Sequence, residues 1–78
     1  MTKPLPVLVI WIDSAYHEAG WELIDEARAL TPKRCISVGF LIRKTKKRLV
    51  LALSITEGQA GGLLVIPRCA VLSVKRFQ

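Results

Sequence analysis

Seventy-eight residues leave room for one domain, and a chain that short buries only about 60–65% of its unfolded surface. Yet 51% of the residues are hydrophobic and the mean hydropathy is +0.37, so part of the apolar surface is expected to be covered by another copy of the chain. A membrane-spanning helix is excluded, because the longest apolar run, Val7 to Ile12, is far shorter than the roughly 18 residues a bilayer requires. The net charge of +6 is divided: residues 1–27 set Lys3 against five carboxylates, net −4, and residues 28–78 set eleven cations against Glu57, net +10. The second part attracts phosphates; the plainer alternative is a solvated face that keeps an apolar protein soluble.

The first predicted element is a strand over Val7–Ile12, continuous in apolar and β-branched residues and opened by Pro4 and Pro6. Such a run suits a strand buried on both faces. Lys3 before it imitates a signal peptide, but Asp13 comes immediately after the run and no A-x-A-like site is evident, so a cytoplasmic setting is expected. Asp13 and Ser14 end the strand, and either can cap a turn or helix next to it. From Trp21 to Leu30 the period changes to that of a helix. Trp21, Leu23, Ile24, Ala27 and Leu30 alternate with Glu22, Asp25, Glu26 and Arg28, and Pro32 terminates the segment.

Residues 35–55 read as a long hairpin. Ile36, Val38, Phe40 and Ile42 share one face of its first strand, and Ser37, Gly39 and Leu41 the other. Gly39 in mid-strand predicts a bend or bulge. The tip is basic: Arg43, Lys44, Thr45, Lys46, Lys47 and Arg48. Leu49, Leu51, Leu53 and Ile55 then share one face of the return strand. Thr56–Gly62 is expected to be a flexible loop. It lacks the G-x-x-x-x-G-K-[ST] pattern of a phosphate-binding loop. A short strand over Leu63–Ile66, a tight turn over Pro67–Ala70 and a last strand over Val71–Phe77 complete the chain. Five short strands around one core and a helix after the first strand predict a mainly β fold, a small barrel.

Few residues carry chemistry. His17 lies near Asp13 and Glu18, but only Ser14 is close by as a nucleophile and no third orienting group is evident, so no catalytic residue is assigned and an enzyme is not expected. Cys35 and Cys69 have no C-x-x-C spacing and are expected as reduced, buried thiols; no metal and no cofactor are assigned. Trp11, between Ile10 and Ile12, belongs to packing. Tyr16 and Trp21 remain as candidates for stacking on a base. The candidate phosphate-binding residues are Arg43, Lys44, Lys46, Lys47 and Arg48 at the tip, with Arg68, Lys75 and Arg76 on the last two strands. Nothing in this set reads base identity.

Several short stretches carry a family resemblance: Trp11, Asp13 and Ser14; Gly20 and Trp21; Ser37, Val38, Gly39 and Phe40; Ile66 and Pro67. With the strand–turn–strand GLLVIPRCAVLSVKRF behind a long bent hairpin, the chain resembles small SH3-type, Sm-like barrel proteins of phage and prophage origin. The resemblance implies a ring-like homo-oligomer built by strand addition between neighbours. Two departures limit it. The helix comes after the first strand rather than before it, and the nucleotide-pocket signature of Sm RNA binders is not recognisable, so no RNA-binding residue is carried over. The expected function is non-enzymatic binding of nucleic acid, RNA rather than DNA, through the basic face. The alternatives are a phage counter-defence protein that sequesters a nucleotide signal or binds a host protein, and a structural oligomer without ligand.

Overall fold

A computed structural model describes residues 3–16 and 19–77. The protein is mainly β, with five antiparallel strands in one open sheet: β1 (Pro6–Asp13), β2 (Lys33–Lys44), β3 (Arg48–Thr56), β4 (Gln59–Pro67) and β5 (Val71–Arg76). A five-residue helix, α1 (Ile24–Arg28), lies between β1 and β2, and a 3-10 turn, Arg68–Ala70, lies between β4 and β5. The sheet order is β4-β3-β2-β1-β5. The first four strands therefore form a meander, and the last strand returns to pair with the first.

The strands form where β-branched and apolar residues alternate or run together, and the register decides which of them are buried. Val7, Val9 and Trp11 of β1 share a face with Ser37 and Gly39 of β2, Leu49 and Leu51 of β3, and Ile66 of β4. On this core face Val7, Val9, Leu49, Leu51 and Ile66 form one buried cluster, with Trp11, Leu41, Leu64, Ala70, Val71 and Val74 packed against it. The cluster draws on β4 and β5, which are opposite edges of the sheet, so the sheet curls until its edges share one core. Burying a Val, Leu or Ile side chain is worth about 1.5–3 kcal/mol, so these few residues carry most of the packing stability.

Several expectations are corrected by the register. Gln59–Gly62, expected as loop, belongs to β4: Gln59 pairs with Thr56, Ala60 with Ile55 and Gly61 with Ser54. Only Glu57 and Gly58 turn, and Gly58 has φ +70°, a conformation glycine adopts without steric penalty. The bulge expected at Gly39 falls instead between Leu41 and Arg43, where Ile42 is the extra residue. Gly39 serves close approach, because a Cβ there would stand 2.9 Å from the Ala52 carbonyl oxygen. In β5 a second bulge lies opposite Ile10 and Trp11, which pair with Ser73 and Val71. It makes Leu72 the extra residue, so that Val71 and Val74 both face the core.

The face of β2 richest in branched side chains is the uncovered one. Ile36 and Val38 are 66% and 56% exposed, and Ile42 is exposed as well. β1 is accordingly buried on one face only, with Leu8, Ile10 and Ile12 half-buried on the other.

The helical expectation shrinks too. Trp21–Leu30 yields only Ile24–Arg28, and no residue of that helix is buried. A helix this short gains little from its own hydrogen bonds and no tertiary face supports it. Asp25 and Arg28 form an exposed ion pair at 3.0 Å.

Candidate nucleic-acid interface

The basic turn is built by one threonine. Thr45 Oγ1 accepts hydrogen bonds from the backbone N–H groups of Lys47 at 3.2 Å and Arg48 at 3.1 Å. The Thr45 N–H donates to the Arg48 carbonyl at 2.9 Å. The side chain thereby replaces ladder partners that the tip lacks, leaving Lys46 and Lys47 as the outermost residues of the β2–β3 connection. Thr45 is not among the residues that sequence reasoning singles out for the site. A threonine directly before Lys-Lys in a tight turn is the signal that could have found it.

The cations of the tip are spread over both faces. Arg43 stands opposite Val50, on the face away from the core, and Lys44 stands opposite Leu49 on the core side. Arg48 pairs with Pro67, which brings the end of β4 to the base of the turn. The next residue, Arg68, donates its backbone N–H to the Lys47 carbonyl at 2.9 Å. The 3-10 turn is thus clamped against the basic turn, and Arg68 joins Lys46, Lys47 and Arg48 at one end of the sheet. Arg68 is half-buried, and its Nη1 is buried without a hydrogen-bond partner among the described residues.

Lys75 and Arg76 are not brought to this place. Lys75 stands opposite Leu8 and Arg76 opposite Val7, at the end of β5 remote from the 3-10 turn. Roughly 13–17 Å of extended chain separates them from Val71. Tyr16 and Trp21 are exposed, but they lie beyond β1 at the Asp13–Lys33 end of the β1–β2 pair. The 3-10 turn links that end to the basic turn, since Arg68 bonds Lys47 and Val71 pairs with Trp11, two residues before Asp13. Among the described residues no hydrogen bond or ion pair joins Tyr16 or Trp21 to the basic turn.

His17 and Glu18 lie outside the described residues. Among the described residues no three of His, Cys, Asp and Glu gather in a metal-ligating group. The two cysteines are free, as expected, but not buried. Cys35 is half-buried at the open end of the core face, its Sγ 3.9 Å from the Lys33 carbonyl oxygen, and Cys69 is exposed in the 3-10 turn, which crosses the surface between two strands.

A cleft of about 820 Å³ opens at the other end of β3, lined by Lys3, Pro4, Phe40, Ile42, Ile55 and residues 56–60. Its charged groups are one lysine and Glu57. It lacks the cluster of cations that a nucleotide phosphate requires, although its Ile42 wall adjoins Arg43 of the basic segment. Among the described residues no helix is long and apolar enough to cross a membrane.

Comparison with protein-family models, with curated proteins and with solved structures finds no match to this chain.

Proposed function

We propose that the chain is a non-enzymatic, Sm-like small-barrel protein that assembles with copies of itself and binds nucleic acid, RNA in preference to DNA, through the β2–β3 turn and the 3-10 turn beside it. One observation carries the reading. The Arg68 backbone N–H donates to the Lys47 carbonyl, which gathers Arg68 with Lys46, Lys47 and Arg48 at one end of the sheet. Clustered cations attract phosphates, and a guanidinium offers donors of the right charge and geometry to phosphate oxygens. The turn itself is held by Thr45, so its cations are presented from an ordered backbone.

Self-association is supported by the edges of the sheet. β4 and β5 each pair on one side only, and an unpaired strand edge is a template for another chain. Repetition around an assembly would multiply the basic turns along a single strand of nucleic acid. Cations reading phosphates give affinity with little base preference.

The test is fluorescence anisotropy with short single-stranded RNA and DNA of mixed sequence at two salt concentrations. The expected result is tighter binding to RNA and a steep loss with salt, because each phosphate neutralised contributes a slope of about −0.7 in log K against log salt for single strands. Undetectable binding at low salt, or binding indifferent to salt, would refute it and leave a ligand-free structural assembly.

A further inference from the structure

The structure carries two unsatisfied apolar surfaces of opposite charge. The first is the segment between β1 and β2. Every described residue from 19 to 32 is exposed, including Trp21, Leu23, Ile24 and Leu30, so the segment leaves the sheet as an arm. The molecule is 54 Å long with a radius of gyration of 16.2 Å, against about 11.5 Å for a compact chain of this length. The arm has a net charge of −2, from Glu22, Asp25 and Glu26 against Arg28. Asp25 is engaged by Arg28, whereas Glu22 and Glu26 have no ion pair among the described residues.

The second surface is the face of β1 and β2 turned away from the core. Ile10 pairs with Ile36 and Leu8 with Val38, which makes a block of branched side chains. Arg34, opposite Ile12, closes one end of the block, and Lys75, opposite Leu8, flanks the other. The strands contribute no carboxylate to this face. An apolar patch framed by cations is complementary to an apolar segment that carries carboxylates. The arm does not cover the patch of its own chain, because it departs at the Asp13–Lys33 pair and none of its described residues is buried against the sheet.

We propose that the arm of one copy docks on the outer β1–β2 face of a second copy, Leu23 and Ile24 lying against Ile36 and Val38, and Glu22 and Glu26 facing Arg34 and Lys75. The contact is distinct from pairing at the sheet edges and leaves the basic turn free. It rests on self-association and not on nucleic-acid binding.

Two single substitutions test it, Ile24→Asp on the arm and Val38→Asp on the face. Both positions are exposed in the protomer, and circular dichroism checks that each variant keeps its β signature. Sedimentation velocity of the wild type should show an associated species, and each variant alone should associate at least about ten-fold more weakly, the size expected when a charge is placed in an apolar contact. An equimolar mixture should recover a mixed species by native mass spectrometry, since the intact arm of Val38→Asp can dock on the intact face of Ile24→Asp. A wild type that remains a protomer overturns the proposal, and so does a mixture with no mixed species. Variants that associate like the wild type overturn it while leaving edge-to-edge assembly standing. Anisotropy with RNA on the same samples separates this outcome from any failure of the nucleic-acid reading.

Discussion

The indole N–H of Trp11 donates to Ser37 Oγ at 3.0 Å, on the core side of the sheet. Ser37 stands opposite Val9, so the bond runs diagonally between β1 and β2. It gives the one polar atom of a half-buried aromatic ring a partner inside the protein. Replacing Ser37 by Ala should therefore cost about 1–2 kcal/mol. Urea unfolding measures the loss, and a shift in tryptophan emission should accompany it.

Gly39 is required by space rather than by conformation. A Cβ at this position would meet the Ala52 carbonyl oxygen at 2.9 Å and Leu51 Cβ at 3.3 Å, and neither belongs to a flexible side-chain end. Gly39→Ala should destabilise the protein by about 1–3 kcal/mol through overpacking between β2 and β3. A thermal melt unchanged from wild type would contradict this.

The glycines at positive φ should rank in a definite order. Gly58 has φ +70° and open space around it, whereas Gly62 has φ +67° and a Cβ there would stand 2.6 Å from Leu53 Cβ. Gly58→Ala should cost only the left-handed penalty of about 1–2 kcal/mol. Gly62→Ala should cost more, and adding Leu53→Gly should recover the excess, because that change removes the clashing Cβ. A denaturation series on the three variants tests the ranking.

Thr45 shapes the basic turn without being a cation. Thr45→Val removes the acceptor for the Lys47 and Arg48 N–H groups. The turn is exposed, so the stability loss should be about 0.5–1 kcal/mol. RNA affinity should fall while the salt slope stays as in wild type, since no charge has been removed. Lys46→Ser with Lys47→Ser should lower the affinity as well and also reduce the steepness of the slope by about 1.4. Anisotropy titrations at several salt concentrations distinguish the two.

Arg68→Met keeps the aliphatic stem and removes a guanidinium that has a buried, unpaired nitrogen. Stability should hold or rise slightly, because no internal bond is lost with it, while RNA binding weakens. A marked drop in melting temperature would mean that the Arg68 guanidinium supports the fold.

The elements are largely visible in the chain, and their neighbours are not. Alternation around Phe40 and Leu51 identifies the long hairpin, and the basic run marks its turn. Gln59–Gly62 reads as loop because glycines weaken a local strand signal, while β3 supplies the pairing from outside. The segment from Trp21 to Leu30 has helical spacing, yet spacing stabilises a helix only when a face is packed, and here none is. For the site, the cations are evident as residues. The clamp between Arg68 and Lys47, and the place of Lys75 and Arg76 at the other end of β5, depend on how the strands pair.

Sequence alone determined the strand content, the basic turn and the excess of apolar surface, because these depend on residue type and short-range period. Only the tertiary structure decided which side of each strand is covered. Alternation specifies two faces but not which one turns inward, and in β2 the small residues Ser37 and Gly39 face the core while Ile36 and Val38 are left to solvent. The reason is steric. A sheet that curls tightly enough to bring β4 and β5 to one core admits small side chains on its inner side, where Gly39 meets the backbone of Ala52, and it leaves the branched ones on the outside.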